Sequence, residues 1–271
     1  MTTADMPNEF IVVDEPAKHV RRITLNRPDK RNAISTPMRT EVLHALQAHD
    51  HDDDVRVTII RGAGPCFSSG YDVSGDGSLM DDPPIYSAPG DGVWARQATE
   101  SWFGIWDLAK PVIAQVHGYA MAGATEFVSA CDLVYMADDA VIGYPVVRVM
   151  SPPDWQFHTP LVGLRAAMEM MLTGNSYSAA EAVQVGFANR AFPADALEDE
   201  VLAMARAVAK VPSDLQQINK RSVHRSFDIW GARAAMRAGT EFQALAGHQH
   251  SVQEARKNPR EALRNAFDDT P

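Results

Sequence analysis

Glu126 is the residue whose surroundings most suggest chemistry. It lies three residues after Gly123 in G-A-T-E-F-V-S-A, among Ala124, Phe127, Val128 and Ala130. A carboxyl in an apolar helix loses water, which penalises its charged form and raises its pKa. A pKa near neutrality suits a general base. A glutamate in the first turn of a helix can also serve the helix dipole alone, so two readings stand at this point. Asp154, in S-P-P-D-W-Q-F-H, is the second carboxylate of interest. After Pro-Pro it makes a good N-cap for a helix beginning at Trp155. His158 follows one helical turn later, within pairing reach of Asp154, although a packed or solvated histidine is the plainer reading.

Other reactive-looking groups carry less. H-D-H-D-D-D, residues 49–54, resembles a metal cluster but reads better as the solvated end of a helix before a strand. His248 and His250 have the same status. Cys66 has no histidine in a recognised nucleophile pattern, and Ser68-Ser69 lacks the spacing of a nucleophile elbow. The glycines form neither a dinucleotide fingerprint nor a P-loop. No metal is expected.

The elements that must hold these groups can be read from periodicity. Phe10 to Val13 and Val20 to Leu25 are β-branched runs flanking a turn at Pro16. Thr36-Pro37 opens a helix whose Met38, Val42, Leu43 and Leu46 share one face. Val55 to Arg61 reads as a strand. Gly75 to Gly92 holds seven Gly or Pro residues and predicts a mobile excursion. A helix resumes near Val93 and runs to Leu108. Pro111 to Val116 is a buried strand, Ala122 opens a buried helix, and Leu133 to Met136 and Val141 to Tyr144 are short strands. This alternation argues for an α/β fold with largely parallel strands. After Pro193 the strand signals stop, and three helices follow, over 197–211, 214–227 and 232–247.

The chain has 271 residues and a net charge of -10. An acidic surface repels nucleic acid and anionic lipid, so neither is an expected partner. An anionic ligand remains possible, because a few local cations and N–H groups suffice to hold phosphate. Two cysteines, Cys66 and Cys131, make no disulfide scaffold. No secretory signal and no membrane-length apolar run is visible. A cytoplasmic location is the expectation.

Three stretches together resemble the crotonase (enoyl-CoA hydratase/isomerase) superfamily. They are I-T-L-N-R-P-D-K-R-N-A-I, V-T-I-I-R-G-A-G-P-C-F-S-S-G-Y-D and K-P-V-I-A-Q-V-H-G-Y-A-M-A-G-A-T-E-F-V-S-A-C-D. A weaker fourth match spans residues 168–192. The resemblance implies a crotonase-type spiral of β-β-α units over residues 1–193. A C-terminal helical trimerisation region over 194–271 would follow, making the chain a homotrimer or hexamer. It implies an acyl-CoA substrate, with coenzyme A as part of that substrate and no tightly bound cofactor, and a place in fatty acid metabolism.

The resemblance also assigns residues. The N–H groups of Tyr71 and Gly123 would form an oxyanion hole for a thioester enolate, the task for which preorganised backbone donors suit. Taken alone, Gly70 and Gly123 could equally be turn or packing glycines. Lys30, Arg31, Ala33, Ser69, Gly70 and Asp72 would meet coenzyme A, and Met121 and Val146 the substrate. Lys30 and Arg31 could also be solvated loop charges. Glu126 matches one of the two hydratase glutamates. The second should follow glycine-x-proline, but G-Y-P-V places Val146 there, and valine carries no proton. Asp154 could substitute. Hydroxyisobutyryl-CoA hydrolases, chlorobenzoyl-CoA dehalogenases and naphthoyl-CoA synthases place an aspartate near here, although the dehalogenase histidine has no counterpart near Thr99. The leading expectation is therefore an enoyl-CoA hydratase. The alternatives are an acyl-CoA hydrolase or C–C bond-cleaving or isomerising homologue using Asp154, or a catalytically weak CoA-binding homologue.

Overall fold

The computed structural model describes residues 8–72 and 93–267; the expected excursion over 75–92 lies outside them. Strands β1 (Ile11–Ala17) and β2 (Val20–Leu25) pair antiparallel. The turn falls after Ala17, not at Pro16. Pro16 stays in the strand, at a register irregularity between Asp14 and Ala17. The sheet tolerates it because β1 is the edge strand, where a missing N–H costs no ladder bond.

Helix α1 (Thr36–His51) is capped by Ser35, whose hydroxyl accepts from the Met38 N–H at 3.4 Å. Met38, Val42 and Leu46 are buried, as their spacing requires, and Leu43 is half-buried. Strands β3 (Val57–Gly62), β4 (Val112–Val116), β6 (Leu133–Ala137) and β9 (Arg190–Phe192) extend the sheet. Its order is β1-β2-β3-β4-β6-β9, and every pairing after the first is parallel. All of β4 is buried, which is the mark of a parallel strand covered on both faces. A second sheet, in the order β5-β7-β8, is built from β5 (Tyr119–Met121), β7 (Val141–Gly143) and β8 (Tyr177–Ser178).

Helices α2 (Val93–Trp106), α3 (Gly123–Ala130), α4 (His158–Thr173) and α5 (Ala179–Gln184) lie between the strands. Helix α6 (Leu197–Ala209) packs across the large sheet through Val201 and Ala205. Helices α7 (Ser213–Ile229), α8 (Ala232–Ala246), α9 (His250–Ala255) and α10 (Pro259–Phe267) follow. Arg233 and Arg237 of α8 tie it to α2 through Asp107 and Glu100, both arginines lying over the Phe103 ring. Helix α10, beyond the three expected helices and opened by Asn258-Pro259, folds back on the segment after β7. There Arg148 donates to the Ala266 carbonyl at 3.0 Å. No described helix is long and apolar enough to cross a membrane.

The histidine-aspartate run at the end of α1 is solvated at His51, Asp53 and Asp54, as expected, but enclosed where it begins. His49 is enclosed and bonds Thr58 at 3.1 Å, and burial pushes its imidazole down to about 4. Asp50 accepts the N–H groups of Ala109 and Lys110. Among the described residues no group of three or more potential metal ligands converges.

Candidate active site

Three loops meet where the motifs predicted a site. The segment after β2 turns through Arg31 and Asn32, both in the left-handed region at φ 53 and 51. The Asn32 side chain locks that turn, accepting from the Arg27 N–H and donating to the carbonyls of Ala63 and Cys66. The Ser69 N–H then donates to Arg31, Ile34 to Gly70, and Asp72 to Ile34, at 3.0, 2.8 and 3.0 Å. The Met121 N–H donates to the Ser68 carbonyl at 3.2 Å, joining the third loop.

Gly70 is what lets the loops close. Its φ is +100, and an added Cβ would stand 2.7 Å from the Met121 oxygen and 3.2 Å from the Gly123 nitrogen. The main chain at Tyr71 is thereby brought beside the first residue of α3. Ala122 enters that helix at φ 52, a strained value for a residue with a side chain. Among the described residues, neither the Tyr71 N–H nor the Gly123 N–H donates a hydrogen bond.

Glu126, one turn into α3, is completely buried. Its Oε2 accepts from the Tyr71 hydroxyl at 2.8 Å. Its Oε1 accepts from the Tyr144 hydroxyl at 3.0 Å and from the Asp154 N–H at 3.2 Å. The Trp155 backbone adds a further bond. The Trp102 indole donates to the Tyr71 oxygen at 2.9 Å. Burial raises the Glu126 carboxyl to about 7, against the pull of these donors.

Asp154 is also buried, and its Oδ1 has no partner among the described residues. Burial, then the nearby Glu126, push its carboxyl well above the ordinary range, and Arg39 offsets part of that. The N-cap reading of Asp154 fails. Helix α4 starts at His158, with Phe157 at the cap position and no side-chain cap bond. His158 is a packed residue. It stacks on Phe157 at 3.9 Å, bonds Gln156, and is pushed down to about 3 by burial.

A cavity of about 1020 Å³ opens over this arrangement. Lys30, Arg31, Ala33, Ser69, Tyr71, Asp72, Met121, Gly123, Val146 and Asp154 all line it. Lys30 and Arg31 are exposed, whereas the Asp72 carboxylate is held by Arg27 at 2.8 Å. Two expected site residues stand apart. Gly70 lies behind the wall as a backbone hinge, and Glu126 is screened by the two tyrosines that bond it.

Several lining residues had no assignment from the sequence. Tyr144 belongs to the same G-Y-P-V stretch as Val146 and lines the cavity beside it. Tyr71 enters the site through its side chain as well as its N–H. Leu263 and Phe267 come from α10. Of the tryptophans, Trp94 lines the cavity, edge-on to Tyr71 at 4.8 Å, while Trp102, Trp106 and Trp155 are core.

A parallel sheet carrying paired free N–H groups, two enclosed carboxyls and a cationic rim defines a coherent class. The enoyl-CoA hydratase/isomerase family model matches residues 15–270. The chain belongs to that family, with the crotonase α/β fold. It is 33% identical over 255 residues to EchA13 of Mycobacterium tuberculosis, which carries an enoyl-CoA hydratase name; the match spans 85% of this chain and 78% of that one. An enoyl-CoA hydratase structure from Mycobacterium smegmatis superposes with a TM-score of 0.85 at 26% identity, covering 96% and 94% of the two chains. An enoyl-CoA hydratase/isomerase structure from Xanthobacter autotrophicus Py2 gives 0.84 at 29% identity, covering 98% and 100%.

Proposed function

We propose that this enzyme adds water to an enoyl-CoA, or removes it from a hydroxyacyl-CoA, through a thioester enolate. The thioester oxygen would lie between the N–H groups of Tyr71 and Gly123, where charge builds as the enolate forms. Lys30 and Arg31 at the rim suit the coenzyme A phosphates. Ala33, Ser69 and Asp72 border the path inward, and Met121 and Val146 border the acyl group.

The observation that carries the reading is one buried carboxyl, Asp154, lining a cavity with the free N–H groups of Tyr71 and Gly123, and a second, Glu126, enclosed directly behind its wall. Two enclosed carboxyls close together do not both ionise. Glu126, with its several donors, is the member that takes the charge. Asp154, unpartnered at Oδ1, stays neutral and can hand a proton to a departing β-hydroxyl. Product analysis after incubation with a panel of enoyl-, hydroxyacyl- and branched acyl-CoA thioesters tests this. Interconversion of an enoyl and a hydroxyacyl thioester is expected; thioester binding without any turnover would leave a CoA-binding protein.

Val146 favours a second reading, in which Asp154 serves thioester hydrolysis or C–C bond cleavage. Free coenzyme A or a shortened acyl-CoA in the same panel would select it. We also infer a spiral core over 1–193 and a helical assembly region over 194–271. Exposed Ile218, Val223 and Ile229 on α7 suit a trimer or hexamer, which light scattering would read as a multiple of the chain mass. The free cysteines fit a cytoplasmic setting.

A further inference from the structure

Glu126 meets no substrate-accessible surface. Its whole side chain is enclosed, and it does not line the cavity. Whatever it does to a bound molecule passes through a neighbour. Two hydroxyls contact it, those of Tyr71 and Tyr144, and both tyrosines line the cavity. They differ in access: Tyr71 is half-buried, Tyr144 fully buried.

The Tyr71 oxygen is equipped for transfer. It donates its proton to Glu126 Oε2 at 2.8 Å and accepts from Trp102 at 2.9 Å. A phenol oxygen has two lone pairs, so one remains. The residue that carries this oxygen also supplies one of the two free N–H groups. The ring lies against Gly123, which supplies the other.

We infer that the Tyr71 hydroxyl is the group that exchanges a proton with the carbon next to the thioester carbonyl, with Glu126 as the positioning residue behind it. The inference rests on the acyl-CoA reading above. In the forward step the α-carbon–hydrogen bond breaks and its proton bonds to the Tyr71 oxygen. The original phenol proton moves to Glu126 Oε2. The carbon–hydrogen electron pair becomes the enolate, held by the N–H groups of Tyr71 and Gly123. One negative charge leaves Glu126 and one appears on the thioester, so the balance closes without a free phenolate. Such a phenolate would be costly, because burial and the nearby Glu126 raise the Tyr71 pKa.

The test is deuterium wash-in from D₂O to the α-carbon of butyryl-CoA, with butyryl-CoA affinity measured by calorimetry. The parent protein should exchange. Tyr71→Phe, which keeps the N–H and the ring, should still bind butyryl-CoA yet lose exchange by about 10²–10⁴-fold. Glu126→Gln should lose a similar factor, and the double variant little more. Failure of the parent protein to bind any acyl-CoA would sink the acyl-CoA reading itself. Binding without exchange in the parent, exchange retained in Tyr71→Phe, or a larger loss in Tyr144→Phe would each overturn the assignment to Tyr71 alone.

Discussion

The Tyr71 ring occupies the space that a side chain on Gly123 would need: an added Cβ would stand 2.4 Å from two of its ring carbons. The ring cannot yield easily. Its hydroxyl is bonded to Glu126 and Trp102, and the ring packs nearly perpendicular to Trp94 at 4.8 Å between centroids.

Gly123→Ala should therefore cost more than an ordinary helix substitution. Although alanine favours a helix, overpacking of about 1–3 kcal/mol should prevail. Urea denaturation should show a lower midpoint. A variant as stable as the parent would mean that the ring has another place to go.

Glu126→Gln keeps the shape but replaces one acceptor oxygen with an NH₂ group. Glu126 accepts from two hydroxyls and from backbone N–H groups, so the new amide must face a donor. A loss of about 1–3 kcal/mol is expected from the unsatisfied group, together with a drop in turnover of about 10²–10⁴. Paired denaturation and rate measurements check both; intact turnover would remove Glu126 from the mechanism.

Asp154→Asn should separate stability from activity. The carboxyl is buried with Oδ1 unpartnered and its charged form disfavoured. An amide of the same size removes the ionisable group at little cost, so the melting temperature should hold or rise. Turnover should fall, as is common where a site holds groups for function at the expense of stability. A variant that melts lower and works normally would assign Asp154 a structural role.

Stability should decline from mildly acidic to mildly alkaline pH through this pair. The Glu126 carboxyl is ordinarily near 4.5 and stands at about 7 in the folded chain. The folded state thus holds its proton more tightly than the unfolded one. The resulting stabilisation is complete below about 4.5 and is lost as pH rises through about 7. Asp154 acts with the same sign. The groups facing them are Tyr71, Tyr144 and Arg39. Denaturation midpoints across that range should fall more in the parent than in Asp154→Asn. Parallel curves would show that the pair does not titrate there.

The sheet and α1 were legible from apolar period and, for α1, from its start at Ser35-Thr36-Pro37, whereas α3, buried on every side and without a side-chain cap, was legible from its apolar composition. The convergence of Lys30, Ser69, Tyr71 and Gly123 followed from motif resemblance, and their common cavity agrees with it. Asp154 was open to misreading because Pro-Pro-Asp is a good local helix start. The backbone from Trp155 to Phe157 instead stays out of α4, with Trp155 and Phe157 buried in the core. Local propensity gave way to burial there. The burial of Glu126 and its raised pKa were legible from its apolar neighbours; that it stops short of the cavity was not, because that depends on where Tyr71 and Tyr144 point their hydroxyls. Helix α10 has a local start in Asn258-Pro259 with Glu261 in its first turn, which the expected helices, ending at 247, left unused; its docking was not legible, because the anchor, Arg148 to Ala266, is a long-range contact.

The cavity takes its walls from Lys30 and Arg31 near one end of the described chain and from Leu263 and Phe267 near the other. A bound molecule would therefore act as a fastener between segments that the chain itself joins only through its entire length. A peripheral helix such as α10 opens at lower cost than a core strand. Ligand that binds only the closed form stabilises it by mass action. Hydrogen-exchange protection gained on loading should thus concentrate in α10, far along the chain from the carboxyls, making the last helix a reporter of whether the site is filled.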